Sequence, residues 1–410
     1  MPEFLELIPP LDALEQLLAA LDYRTPAEII MSADAVGRVS AAPVIAPHPL
    51  PSFPRSTVDG YAVRAADTHG ASESLPAYLA LIGEIPMGAP AEVAVGPGQC
   101  ALIHTGGMLP QGANAVVMVE YTQSVREGEV EVLHALAAGD NVLKIGEDVS
   151  AGAVVIPEGV KLRPAEIGGL MAIGKTGVEV AKKPLVGIIS SGDEVVAPEE
   201  DIGPGQVRDV NAYTLSALIE QAGGIPVRHG IVADSLDAMY KTCSQAINEN
   251  DIIVITAGSS ASTRDLTADI INRLGEPGVL VHGVNVRPGK PTILGMCSGK
   301  AAIGLPGNPV SALVIASLFV VPVIHSLLGF VSKPLRTSVS AKLSINLSSQ
   351  AGREDWVPVS VLCDGQGCHA KPVFGKSNLI FTLTRADGLV CIPADANGLA
   401  AGTLVDVFLL

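Results

Sequence analysis

Three short stretches of this chain carry the residue types that hold oxyanions. They are "SSGDEV" at 190–195, "TAGSSASTRD" at 256–265 and "GLPGNPVSA" at 304–312. Each follows or completes an apolar run. Serine hydroxyls and free backbone amides there suit a phosphate, and the carboxylates of Asp193 and Glu194 suit a divalent cation. One such loop alone is an ordinary turn. Three in the same setting point to a phosphate-bearing ligand. In "VRPGKP", 286–291, Arg287 and Lys290 flank a Pro-Gly turn, so two cations can converge on one spot or simply face solvent. Asp59 in "STVDGYA" and Asp234 in "IVADS" are further loop acids. Either reads equally as a turn residue, and Asp234 before "SLDAM" fits a helix cap. In "HTGGMLPQGANAVVMVE", 104–120, Thr105 and two glycines bend directly against an apolar run, 115–119, which ends on a carboxylate. Glycine lets a backbone approach a ligand closely, and a plain turn between strands uses the same residues.

The elements that must position these residues follow from periodicity. From residue 183, "PLVGIIS", "DIIVITA" and "AAIGLPG" alternate with the helical stretches "VNAYTLSALIEQAGG", "LDAMYKTCSQAINE" and "LTADIINRLG". That alternation predicts a parallel sheet covered on both faces, with ligands at the carboxyl ends of its strands. After residue 333 the helical period stops, and the remaining segments read as strands of a small barrel or sandwich. Residues 60–146 show short strands between glycine turns, a small β domain. Residues 8–46 read as helical: "PPLDALEQLLAAL", then "TPAEIIMSADAVGRV" with Thr25-Pro26 as cap and first turn. "EDVSAGAVVIPEGVKLRP" reads as a hairpin-like unit, and a helix restarts at Pro164. The expectation is a multidomain α/β and β protein. Its parts are a segmented helical domain (1–46 and 147–180), an inserted β domain (47–146), an α/β domain (181–330) and a C-terminal β-barrel (331–410).

The totals bound the function. A chain of 410 residues with 48% hydrophobic content supports several packed domains. A net charge of −16 argues against a general nucleic-acid binder, which needs a basic face. An anionic small substrate then needs a local positive pocket or a metal. The six cysteines, Cys100, Cys243, Cys297, Cys363, Cys368 and Cys391, form no CxxC pair. This speaks for reduced cytosolic thiols and against a zinc site or disulfide framework. The N-terminus lacks the pattern of a signal peptide. Residues 309–330 are apolar enough to suggest a membrane span, but Pro322 and His325 interrupt them, and a buried core helix is the expectation.

The order of the motifs carries a resemblance. "STVDGYAV", "IHTGGMLPQGANAVVMVE", "GEDVSAGAVVIPEG", "ISSGDEVV", "DVNAYTLSALIEQAGG", "VRPGKP" and "LPGNPVSA" closely resemble the molybdopterin molybdenumtransferases of MoeA type, a family that includes the E domain of gephyrin. The match spans nearly the whole chain. It implies the four domains above, with an α/β molybdopterin-binding domain. It also implies an elongated cytoplasmic homodimer whose active site lies between the α/β domain of one subunit and the inserted domain of the other. By the same resemblance Asp59, Thr105, Glu194, Asp234 and Asp265 are catalytic positions. Ser190, Ser191, Gly192, Gly258, Ser259, Ser260, Pro306, Gly307, Asn308 and Ser311 line the molybdopterin. "GREDW" and "FGKSN" resemble segments that supply Arg353 and Ser377 for molybdate, beside Arg287 and Lys290. Two positions depart from the family pattern: the loop Ala257-Gly258 to Ser262, and an arginine, Arg287, where a lysine is common.

The chemistry implied is insertion of molybdate into adenylylated molybdopterin with release of AMP. Mg2+, held by some subset of Asp59, Glu194, Asp234 and Asp265, would neutralise the pyrophosphate. The cofactor's own sulfurs attack the metal, so no cysteine is needed, and all six read as packing residues. Other cofactor-biosynthesis proteins are possible partners; nucleic acid and membrane are not expected. Two other functions stay open: a tungstate-specialised enzyme, and a non-catalytic scaffold that binds partner peptides.

Overall fold

The computed structural model describes residues 7–257, 261–331, 337–365 and 367–410. Helix α1 (Pro10–Ala19) opens the chain, with proline in its first turn where no N–H is needed. Its buried Ala13 and Leu17 enter the core of the α/β domain. The second expected helix is absent. Ala27–Met31 is instead a strand, β1, followed by one 3-10 turn, Ser32–Asp34. Its partner lies about 150 residues on, in β10, with Ala27 opposite Ala181 and Met31 opposite Gly177. The β-branched pair Ile29 and Ile30 suits that pleat, and the long-range pairing overrides the helical spacing. Strand β2 (Val44–Ile45) completes this first segment.

The inserted domain holds β3 (Gly60–Val63), β4 (Ala77–Glu84), β5 (Gln99–Ile103), β6 (Ala115–Met118), β7 (Thr122–Arg126) and β8 (Glu129–Val132). They form one sheet in the order β6-β3-β5-β4-β8-β7. Gly60 is required here, because a Cβ on it would sit 1.8 Å from the Val117 carbonyl oxygen. The chain then returns through β9 (Val154–Ile156), α2 (Pro164–Ala172) and β10 (Gly177–Ala181). The segment expected as a hairpin is not one: β9 pairs with β2, across the insertion. Among the described residues, the segments around the insertion hold the helices α1 and α2, a 3-10 turn and two strand pairs, rather than being mostly helical.

The α/β domain comprises β11 (Leu185–Ser191), α3 (Asn211–Ala222), β12 (Ile225–Val232), α4 (Leu236–Glu249), β13 (Ile252–Ala257), α5 (Ala261–Leu274), β14 (Pro277–His282), β15 (Val286–Arg287), β16 (Ile293–Cys297) and β17 (Lys300–Pro306). Its sheet runs β12-β11-β13-β17-β16-β14. The first four strands are parallel, and β16 and β14 add an antiparallel edge. Alternate residues feed two cores: Val186, Ile188, Ile252 and Val254 face α1 and α3, while Ile189, Ile253 and Ile255 face α4 and α5. The apolar helix α6 (Pro309–Leu327) is long and apolar enough to cross a membrane, by length and composition only. It packs into the first of these cores through Phe319, Val320, Val323 and Ile324. Pro322 lacks an N–H, and a π turn at Ala316–Val320 lets the helix pass it.

The C-terminal strands are β18 (Ser338–Leu343), β19 (Glu354–Asp364), β20 (Gly367–Pro372), β21 (Gly388–Ile392) and β22 (Leu404–Leu409), with a short helix α7 (Phe381–Thr384) before β21. Pairings β19-β20-β18-β22-β21-β19 close a barrel, and β15 of the α/β domain adds a parallel flank beside β19. Cys363 and Cys368 face each other across the β19–β20 hairpin and form a disulfide. This corrects the expectation of six reduced packing thiols. The spacing reads as unremarkable in sequence, and only the hairpin makes the two residues neighbours. Cys100, Cys243 and Cys297 are buried, and burial pushes their thiols up to about 12, 12 and 11.

Candidate active site

The three oxyanion-type loops lie at the carboxyl ends of β11, β13 and β17, which are neighbours in the sheet. Ser190 and Ser191 end β11 and are buried. The Ser190 hydroxyl donates to Asp209 Oδ2 at 2.6 Å, and Asp209 Oδ1 accepts from the Ala212 amide at 3.0 Å in the first turn of α3. Ser191 Oγ donates to Asp234 Oδ1. Asp234 is not the cap of α4: the Ser235 side chain accepts from the Ala238 amide, and the Asp234 amide donates to Asp193 Oδ1 at 3.2 Å. Asp234 therefore faces the β11 loop, where Gly192 leads into the exposed pair Asp193 and Glu194. After β13, Gly258, Ser259 and Ser260 lie outside the described residues, as does the Ser262 side chain. Asp265 is exposed on the first turns of α5. After β17, the Gly307 carbonyl accepts from Asn211 Nδ2 at 2.8 Å. Asn211 Oδ1 is buried without a hydrogen-bond partner among the described residues. Asn308 precedes α6, and Ser311 is buried in its first turn.

A second set converges between the α/β domain and the barrel. Arg287, Lys290, Pro306, Asn308, Ser311, Arg353 and Ser377 all line one cleft of about 1150 Å³. Its lining also includes Lys376 and, as the single acid among the described residues, Asp355, which is 4% exposed. Arg353 Nε donates to Asp355 Oδ1 at 2.8 Å, and Arg287 Nη1 lies 3.6 Å from Asp355 Oδ2. The Ser377 carbonyl accepts from the Val310 amide at 3.0 Å, tying the barrel loop to the start of α6. Among the described residues, four cations against one carboxylate make this cleft locally positive in a chain of net charge −16.

The third set sits on the inserted domain. Asp59 Oδ1 accepts from the Thr105 amide at 2.7 Å and from the Thr105 hydroxyl at 3.0 Å. The amide bond, then the hydroxyl bond, then the nearby His104, hold the Asp59 carboxyl below the usual range. Gly106, at φ +85°, supplies the left-handed turn that points these donors at Asp59. His104 Nε2 lies 3.0 Å from Glu84 Oε1. Among the described residues, no three acidic, histidine or cysteine side chains gather closely enough to hold a metal ion. One chain alone therefore offers no cage made from Asp59, Glu194, Asp234 and Asp265.

Three residues escaped the sequence reading. Asp355 stands two places after Arg353, at the start of β19, and the Arg353 side chain bonds it directly. Lys376 adjoins Ser377 in "FGKSN". Asp209 stands three residues before Ala212, the spacing of a helix cap.

Comparison with known proteins matches three successive family models. They are the MoeA N-terminal region (domain I and II) at residues 8–174, the probable molybdopterin binding domain at 187–326, and the MoeA C-terminal region (domain IV) at 340–410. A Methanocaldococcus jannaschii protein named for molybdopterin biosynthesis is 36% identical over 407 residues, covering 97% of this chain and 95% of its own. The molybdopterin molybdenumtransferase of Bacillus subtilis is 31% identical over 405 residues, covering 98% and 94%. The crystal structure of the molybdopterin biosynthesis protein moeA from Pyrococcus horikoshii matches with a TM-score of 0.87 at 32% identity, covering 99% of this chain and 100% of that one.

Proposed function

The chain belongs to the MoeA family of molybdenum cofactor biosynthesis, and on that premise we propose that it is a molybdopterin molybdenumtransferase. It inserts molybdenum from molybdate into molybdopterin. The observation that carries this reading is the cleft between the α/β domain and the barrel. A tetrahedral oxyanion needs donors from several directions, and there Arg287 and Lys290 approach from one domain, Arg353, Lys376 and Ser377 from the other. Guanidinium forks match oxyanion geometry, and charge-assisted hydrogen bonds are about twice as strong as neutral ones.

In this reading the molybdopterin arrives adenylylated and AMP leaves. The loops after β11, β13 and β17 hold its phosphates, with Ser191, Gly192, Gly307 and Ser311 nearest the strand ends. Asp209 holds Ser190 in place from below. Mg2+ on the pyrophosphate would be held by some subset of Glu194, Asp234 and Asp265 from one α/β domain and Asp59 from the inserted domain of a second subunit. When bound, it supplies charge neutralisation for the departing AMP. The enzyme is accordingly a homodimer, and its setting is the cytoplasm. Thr105 fixes the ionised Asp59 on the inserted domain.

The test is direct. The purified protein is incubated with adenylylated molybdopterin and molybdate, and both AMP release and the metal content of the cofactor are measured. AMP release with molybdenum in the product is the expected result. Cofactor that stays metal-free refutes the assignment. Tungsten retained in preference to molybdenum, with the two oxyanions supplied together, redirects it to tungstate.

A further inference from the structure

Asp355 is a buried carboxylate at the floor of the positive cleft, and it touches cations from two domains. Oδ1 accepts from Arg353 Nε at 2.8 Å, and Oδ2 from Arg353 Nη2 at 3.4 Å. Oδ2 also lies 3.6 Å from Arg287 Nη1. Arg353 belongs to the barrel, while Arg287 belongs to the α/β domain. The backbone repeats the connection. β15 pairs in parallel with β19, Arg287 opposite Asp355. The Glu354 amide donates to the Asn285 carbonyl at 3.1 Å, and Asn285 Nδ2 donates to the Gly352 carbonyl. Asp355 thus stands where the two domains are stitched together.

A cleft that holds an anion gains nothing in charge from an internal carboxylate. A buried acid also costs free energy unless it is paired and hydrogen-bonded. Its place is explained by geometry. An arginine side chain has four rotatable bonds, and Arg287 is 65% exposed. Left alone, it would sample solvent. Asp355 takes the Nε edge of Arg353 and leaves three guanidinium N–H groups for a ligand. It also sets the spacing of the two guanidinium groups across the domain junction.

We propose that Asp355 is a positioning residue for the oxyanion: it fixes Arg353 and Arg287 as a preformed fork for a tetrahedral dianion. The inference rests on the oxyanion-cleft reading above. It gives up some attraction for anions in general and gains selectivity for one shape and charge. Asp355→Asn keeps the size, removes the anchor and leaves the cleft more positive. Two readouts then move in opposite directions. The half-saturating molybdate concentration rises about tenfold, the effect of losing one anchored charge-assisted contact. Chloride becomes a stronger competitor, because the unneutralised cations attract any small anion.

The experiment titrates molybdate against AMP release, with and without added chloride, for wild type, Arg353→Ala, Asp355→Asn and the double variant. Thermal unfolding is followed on the same samples. Because Asp355 acts through Arg353 as well as Arg287, the double variant falls well short of the product of both single effects. Fully multiplicative effects, or unchanged half-saturation in Asp355→Asn, overturn the positioning role while the cleft reading stands. Unchanged half-saturation in Arg353→Ala overturns the cleft reading itself, and the proposal with it. Should Asp355→Asn fail to fold, Asp355→Glu takes its place. It keeps the charge and displaces both anchors by one methylene, so half-saturation again rises; no change there overturns the proposal.

Discussion

The cleft beneath the barrel and the ledge around Asp59 are both charged, and they are built in opposite ways. In the cleft the one acid among the described lining residues is 4% exposed and paired with two arginines at the domain junction. On the ledge, the Asp59 and Glu84 side chains are 63% and 60% exposed, and Asp59 is held only by Thr105, with His104 nearby. Among the described residues, one chain lines the cleft. The ledge holds a lowered carboxyl and oriented donors in open water. Enclosure suits selectivity for a ligand, and under the shared-site proposal the open ledge is the part that meets a second subunit.

The contrast breaks most visibly if the ledge is in fact self-sufficient. Asp59→Asn and Asp265→Asn should each slow AMP release by orders of magnitude, since each would remove charge acting on the pyrophosphate bond as AMP departs. Mixed together under conditions of subunit exchange, the two variants should recover part of the activity, because some hybrid dimers hold one intact site. No recovery despite demonstrated exchange would place Asp59 outside the shared site. Normal turnover of Asp265→Asn at saturating magnesium would remove that residue from the reaction.

The cleft side predicts a smaller effect of a different kind. Arg353→Ala should raise the half-saturating molybdate concentration by about ten- to a hundredfold, from one charged hydrogen bond of roughly 1.5–3 kcal/mol. Binding of adenylylated molybdopterin should barely change. Equal losses for both substrates would mean that the two regions are not separate.

Asp209, below the strand-end loop of β11, is where the effect should fall on stability. Asp209→Asn leaves Ala212 or Ser190 facing an amide N–H in place of an acceptor. A cost of about 1–2 kcal/mol is expected, as for a lost helix cap or a buried unsatisfied donor. Urea midpoints at constant slope measure it. No shift would mean that Asp209 is not holding the loop.

How much of this was legible in the sequence differs between the same regions. The three loops could be placed because each follows an apolar run of strand length, and neighbouring parallel strands bring their ends together. The cations at 287, 290 and 353 were legible as types, and the family resemblance, but not the residue pattern itself, brought them together. Their meeting depends on β15 joining the barrel, a pairing of two residues that no periodicity announces. Asp355 was hidden for the same reason, since its second partner comes from another domain. The strand at Ala27–Met31 was misread because its partner arrives only after the whole inserted domain. The Cys363–Cys368 bridge was missed because a hairpin, and not a motif, makes those two residues neighbours. Local pattern is read well from sequence; junctions between distant segments are not.

The smallest effect tests how the open ledge keeps its charge. Asp59 is held below the usual carboxylate range first by the Thr105 amide and second by the Thr105 hydroxyl. Thr105→Val keeps the amide and the branched shape and removes only the hydroxyl. The Asp59 carboxyl should then rise part of the way back toward its ordinary value. A lowered carboxyl keeps its charge until the pH falls through its folded value, so the acid limb of AMP release should begin at higher pH in the variant. At neutral pH Asp59 remains ionised in both proteins. Turnover there should fall by less than about tenfold, since exposed charged contacts are individually weak. Carbon-detected NMR titration of the Asp59 carboxyl, run beside the pH profile, measures both shifts. If the carboxyl moves and the acid limb does not, another group governs the limb. If neither moves, the Thr105 hydroxyl does not hold Asp59 in solution, and orientation on the ledge rests on the backbone amide alone.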